Sequence, residues 1–145
     1  MRRRQADERA IGGHSPDVVE QVCAGVDPFV VALGDVETFV PITPTVFIRV
    51  ARAAWHLRAL HDRLDSGLLA YEEPWPYMPH LTITKSHTEE GARVAFELAR
   101  RRWAEFQGPR TIPIAELTFV RGSADEGWEN LAPIPLGRRL AGVGR

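Results

Sequence analysis

The stretch Pro76–Lys85 reads PYMPHLTITK. His80, Thr82 and Thr84 alternate there with Leu81, Ile83 and Lys85. Side chains on a strand repeat every second residue, so strict alternation puts the imidazole and both hydroxyls on one face and turns Lys85 to the other. Pro79 fixes the strand entry, and the three prolines of LLAYEEPWPYMPH before it forbid a helix. That segment is expected to be a loop rich in aromatic side chains, among them Tyr71, Trp75 and Tyr77.

Working outward, PTVFIRV is a strand with Val46, Ile48 and Val50 on one face, and DPFVVALGDVETFV is a largely buried strand with a turn or bulge at Gly34-Asp35. Their short spacing predicts an antiparallel pair. Leu57, Leu60 and Leu64 form one apolar stripe of a helix closed by Gly67. Ser15-Pro16-Asp17 opens a helix that Gly25 ends. Ser86-His87-Thr88-Glu89 has the spacing of a capping box. It leads into a helix that buries Ala92, Ala95, Phe96, Ala99 and Trp103, with Arg100, Arg101 and Arg102 on a solvated face near its end. RTIPIAELTFVRG and WENLAPIPLG read as two strands around a polar turn. The order is helix, two strands, helix, strand, helix, two strands, which predicts an α+β fold on antiparallel sheet. Residues 1–145 are expected to form a single domain, with 1–14 as a frayed tail.

Composition narrows the function. The 145 residues are 44% hydrophobic and 26% charged, enough apolar material for a core without a staple. Eighteen basic and nineteen acidic residues give a net charge of −1, which argues against a long duplex as partner but leaves room for a small phosphate-bearing ligand. The single cysteine, Cys23, sits among Val22, Ala24 and Val26 and reads as a small buried hydrophobe in a reducing cytoplasm. No apolar run approaches the ~18 residues of a membrane span. The charged N-terminus lacks the apolar stretch of a secretory signal.

Several chemistries are set aside. There is no phosphate-cradling glycine loop, no Cys/His cluster with zinc spacing, and no serine in a nucleophile elbow. His56 and His61 are five apart and read as boundary residues, and Asp125 and Glu126 as turn residues. His80-Leu81-Thr82 remains. A histidine titrates near neutrality and can take or give a proton, and Thr82 on the same face offers a hydroxyl to the same phosphate. The same row also suits the plain solvent face of a sheet.

PHLTITK in this setting resembles the second His-x-Thr motif of the 2H phosphoesterase superfamily, which includes the 2'-5' RNA ligase-like proteins and cyclic nucleotide phosphodiesterases. The resemblance spans about residues 27 to 137. PFVVALGDVETF with PTVFIRV is similar to the strand pair between the family's two motifs, and LTFVRGSADEGWENLAPIPLG to its last strand pair. The resemblance implies two lobes of antiparallel sheet around a cleft, each giving one His-x-Thr or His-x-Ser. One histidine is a general base, the other a general acid, and the threonines hold the phosphate. Neither metal nor other cofactor is implied. Typical substrates are 2',3'-cyclic phosphates or 2'-5' linkages in RNA or nucleotides.

Carried onto this chain, His80 and Thr82 are the catalytic pair. Lys85 adds charge, and Trp75, Tyr77 or Phe39 could stack on a base, although a core or lid role is the plainer reading of all three. The family's first motif is absent: upstream histidine is limited to His14, followed by Ser15-Pro16. The expectation is a chain that starts after the motif strand. The alternative is a degenerate member that binds phosphate or RNA without catalysis. With one histidine the chain is expected to bind a phosphate ligand weakly and turn it over poorly. The missing strand is expected to leave an exposed sheet edge that could self-associate in a family of monomers.

Overall fold

The computed structural model describes residues 15–125 and 127–137, so His14, the expected N-terminal tail and Glu126 lie outside the described residues. Helix α1 (Ser15–Ala24) is followed by β1 (Phe29–Thr38) and β2 (Thr45–Arg52). Helix α2 (Ala54–Leu64) leads through one 3-10 turn, Gly67–Leu69, to an irregular segment ending at Pro79. Then come β3 (His80–Lys85), α3 (Glu89–Glu105), β4 (Thr111–Ile114), β5 (Glu116–Gly122) and β6 (Trp128–Pro135). The expected α+β architecture on antiparallel sheet is observed. A four-stranded sheet has the order β3-β2-β1-β4, and β5 and β6 form a second, two-stranded antiparallel sheet. No helix among the described residues is long and apolar enough to cross a membrane.

The chain forms two compact units. One comprises Val30–Arg58 and Trp75–Pro113 and holds nearly all of the four-stranded sheet with α3. Val36, Val46 and Ile48 are buried with Ala92 of α3, and Leu33, Ala95, Phe96, Ala99 and Trp103 pack against them. The apolar stripes read on β2 and α3 are therefore the two sides of one core. The Trp103 indole N–H donates to the Gly34 carbonyl at 2.9 Å, which anchors the end of α3 to β1. At that point β1 carries the expected bulge: Leu33 pairs with Val50 and Val36 with Ile48, so β1 spends one residue more than β2. A Cβ on Gly34 would lie 2.9 Å from the Ala51 Cβ, so a side chain there would collide with β2. The cap of α3 is Thr88 rather than Ser86. The Thr88 hydroxyl accepts from Gly91 N at 3.0 Å, while Ser86 Oγ accepts from Thr88 N one step earlier.

The other unit comprises Ala59–Pro74 and Ile114 onward, with α1 and Phe29. Cys23, Val19, Leu60, Ile134 and Leu136 are buried in it. Gly137 N donates to the Cys23 carbonyl at 3.0 Å, tying the segment just after β6 to α1. Burial pushes the Cys23 thiol up, which opposes thiolate formation and fits the inert reading. RTIPIAELTFVRG is two strands, not one, with the break at Ala115. The half-buried positions change phase there, from Ile112 and Ile114 to Leu117 and Phe119.

Candidate functional site

Among the described residues β3 is an edge strand, paired antiparallel with β2. His80 lies opposite Arg49, Leu81 opposite Ile48 and Thr82 opposite Phe47. The register then shifts, and Thr84 falls opposite Val46 and Lys85 opposite Thr45. β3 therefore carries one extra residue at Ile83. Directly opposed residues share a sheet face, so the bulge corrects the alternation read from the sequence. Thr84 joins the α3-facing side with Val46. Lys85 joins His80 and Thr82 on the opposite side.

On that side, β1 adds Glu37, opposite Phe47. Phe39 stacks on Phe47 with centroids 4.1 Å apart, and both rings meet the His80 imidazole edge-on at 5.4 and 5.3 Å. Phe47 is buried and His80 exposed, so an apolar shelf orients an imidazole that remains open to solvent. His80 Nδ1 is 2.6 Å from the Met78 carbonyl oxygen. A carbonyl can only accept, so Nδ1 carries the proton, and Nε2 is the lone-pair nitrogen of the neutral ring. The Thr82 hydroxyl and the Lys85 ammonium have no protein partner among the described residues. Trp75 and Tyr77 stand in the irregular segment before β3, and both are exposed, Trp75 at 63%. That exposure removes the core reading for Trp75.

Sequence reasoning passed over Arg49 and Glu37. Arg49 Nε and Nη2 donate to the two Glu37 carboxylate oxygens at 2.5 and 2.9 Å. The guanidinium holds the Glu37 carboxyl below the usual carboxylate range, and the hydrogen bond from Arg49 is the leading cause. The available signal was one charged residue inside the apolar run VFIRV, with a glutamate twelve residues upstream.

A second titratable cluster lies in the other unit. His61 Nε2 meets Glu73 at 2.5 Å, and Asp65 accepts from Tyr71 N at 2.7 Å. His61, Asp65 and Glu73 bring three ligand-type atoms within 4.8 Å of one another, and in the described structure His61 and Glu73 are paired. The hydrogen bond to Glu73 raises the His61 pKa above its ordinary value. A folded pKa above the unfolded one, about 6.5, gives stability that is complete below about pH 6.5 and lost as pH rises through the folded value. The stability difference between wild type and Glu73→Gln, followed by thermal melting, is therefore expected to be largest below about pH 6.5 and to shrink as pH rises through the raised folded pKa of His61.

Residues 16–126 match the family model described as the 2'-5' RNA ligase superfamily. The chain belongs to that superfamily. It is similar to a Halalkalibacterium halodurans protein named "Putative phosphoesterase", with 34% identity over 70% of this chain and 57% of that one. Proteins of the same name from Oceanobacillus iheyensis and Bacillus cytotoxicus are 27% and 29% identical, over 56% and 64% of this chain and 46% and 52% of theirs. The chain thus spans about half the length of the curated relatives it matches. His80-Leu81-Thr82 is the one His-x-Thr in this superfamily member's sequence.

Proposed function

We propose that this chain forms one 2H phosphoesterase-like domain, and that the His80–Thr82 face receives the phosphate of a 2',3'-cyclic phosphate or a 2'-5' phosphodiester in RNA or a nucleotide. The observation that supports this reading is the His80 Nδ1–Met78 contact of 2.6 Å, which leaves Nε2 as the nitrogen available for proton transfer on the face that also holds Thr82. Family membership supports the reaction class.

In this reading the neutral Nε2 takes a proton from water as the water oxygen bonds to phosphorus, or, once protonated, gives it to the leaving ribose oxygen as the P–O bond breaks. The Thr82 hydroxyl donates to a phosphate oxygen, and Lys85 offsets its charge. Trp75 and Tyr77 are the exposed rings available to a base. The chemistry needs no metal, and its setting is the cytoplasm.

The test is single-turnover opening of 2',3'-cyclic AMP by the purified chain in excess, with and without EDTA. A slow rate that EDTA leaves unchanged is expected. A rate abolished by EDTA and restored by a divalent ion would overturn the metal-free mechanism. The second reading, a domain that binds phosphate or RNA without catalysis, is favoured by the single His-x-Thr in the sequence. It predicts binding of the same nucleotide with no opening.

A further inference from the structure

We propose that Arg49, held in place by Glu37, is the cation that grips the phosphate at the His80–Thr82 face, and that Glu37 biases this site toward singly charged phosphodiesters over doubly charged monoesters. The proposal rests on the phosphoesterase reading above and assigns it a substrate charge.

Arg49 is the cross-strand partner of His80, and such partners have Cβ atoms about 4.5–5.5 Å apart. A phosphate bonded to His80 Nε2 and Thr82 is thus within reach of the guanidinium. Glu37 engages Nε and one N–H of Nη2, and Nη1 has no partner among the described residues. A planar fork fixed on one edge presents its other edge ready for an oxyanion, with little ordering left to do. The Arg49 side chain is 43% exposed, so a ligand can reach it.

Charge gives the second half of the proposal. The paired rows through His80, Thr82 and Lys85 hold two cations, Arg49 and Lys85, and one carboxylate, Glu37. With the imidazole neutral, the sum is one positive charge, which one diester anion balances. A monoester carries nearly two negative charges above about pH 7, and the second would face the Glu37 carboxylate. Opening a cyclic diester yields such a monoester, so the same carboxylate would favour release of the product.

An exposed ion pair with no ligand role is usually worth little to a fold, and opposite responses of the two partners separate the alternatives. Binding of 2',3'-cyclic AMP (singly charged) and adenosine 2'-monophosphate (doubly charged) is measured at about pH 8 by NMR titration of the folded chain. Arg49→Met is expected to weaken both by about tenfold or more, since charge-assisted hydrogen bonds are lost. Arg49→Lys should recover part of the loss. Glu37→Gln should tighten the monoester about threefold while changing the diester less. Arg49→Met within about twofold of wild type, while His80→Ala still loses the ligand, would overturn the role of Arg49 and leave the phosphoesterase reading standing. Equal effects of Glu37→Gln on both probes would overturn the charge preference. A wild-type chain that binds neither probe would overturn both readings.

Discussion

His80→Ala is expected to lower single-turnover opening of 2',3'-cyclic AMP by about 10²–10⁴, the usual loss when a positioned acid or base is removed. The starting rate is itself expected to be slow, because this sequence supplies one His-x-Thr. Protein in excess and rapid quench are therefore needed to see the drop. The fold should be nearly indifferent to the change. His80 is exposed, its ring rests on the edges of Phe39 and Phe47, and the Met78 carbonyl it leaves can bond to water. Surface substitutions of this kind usually shift stability by less than about 0.5 kcal/mol. Unchanged melting with lost opening is the expected pair of results. Opening at the wild-type rate by His80→Ala would remove the imidazole from the chemistry.

Phe47→Ala is expected to destabilise the protein by about 3–5 kcal/mol in urea unfolding, the range for a large buried aromatic cut to alanine. Phe47 is 1% exposed and stacked on Phe39, so the cavity would open beneath the His80 ring. Phe47→Leu refines the test. It keeps much of the buried volume but removes the ring that meets His80 edge-on, so it should cost less stability than alanine while still loosening the imidazole. If Phe47→Ala cost under about 1 kcal/mol, the shelf beneath His80 would not be the packed support described.

Much of this fold was legible because its local signals agree. The alternation of Val46, Ile48 and Val50, the stripe from Ala92 to Trp103 and the Gly34-Asp35 bulge each point to the same sheet-and-helix core, and the structure assembles them into it. The misreadings share a physical cause. Alternation describes an unbroken ladder, whereas a bulge is a property of pairing. The extra residue at Ile83 that moves Lys85 to the side of His80 is visible only once β2 is alongside. The same holds for Arg49 and Glu37, which lie twelve residues apart in the chain and are joined only by register. The break at Ala115 did leave a local trace, since the apolar positions change phase there from even to odd numbers. Two hydroxyl residues two apart, Ser86 and Thr88, both suit a cap, and backbone geometry selects the second.

The most direct test is an NMR titration of the chain with 2',3'-cyclic AMP, observing the ring nitrogens of His80 and the backbone amides of β2 and β3. The predicted result is that the neutral form of the ring carries its proton on Nδ1, with nucleotide-dependent shifts confined to His80, Thr82, Arg49, Lys85 and their neighbours. A proton on Nε2 in the neutral ring, or shifts that bypass β3, would contradict the assignment of this sheet face as the phosphate site.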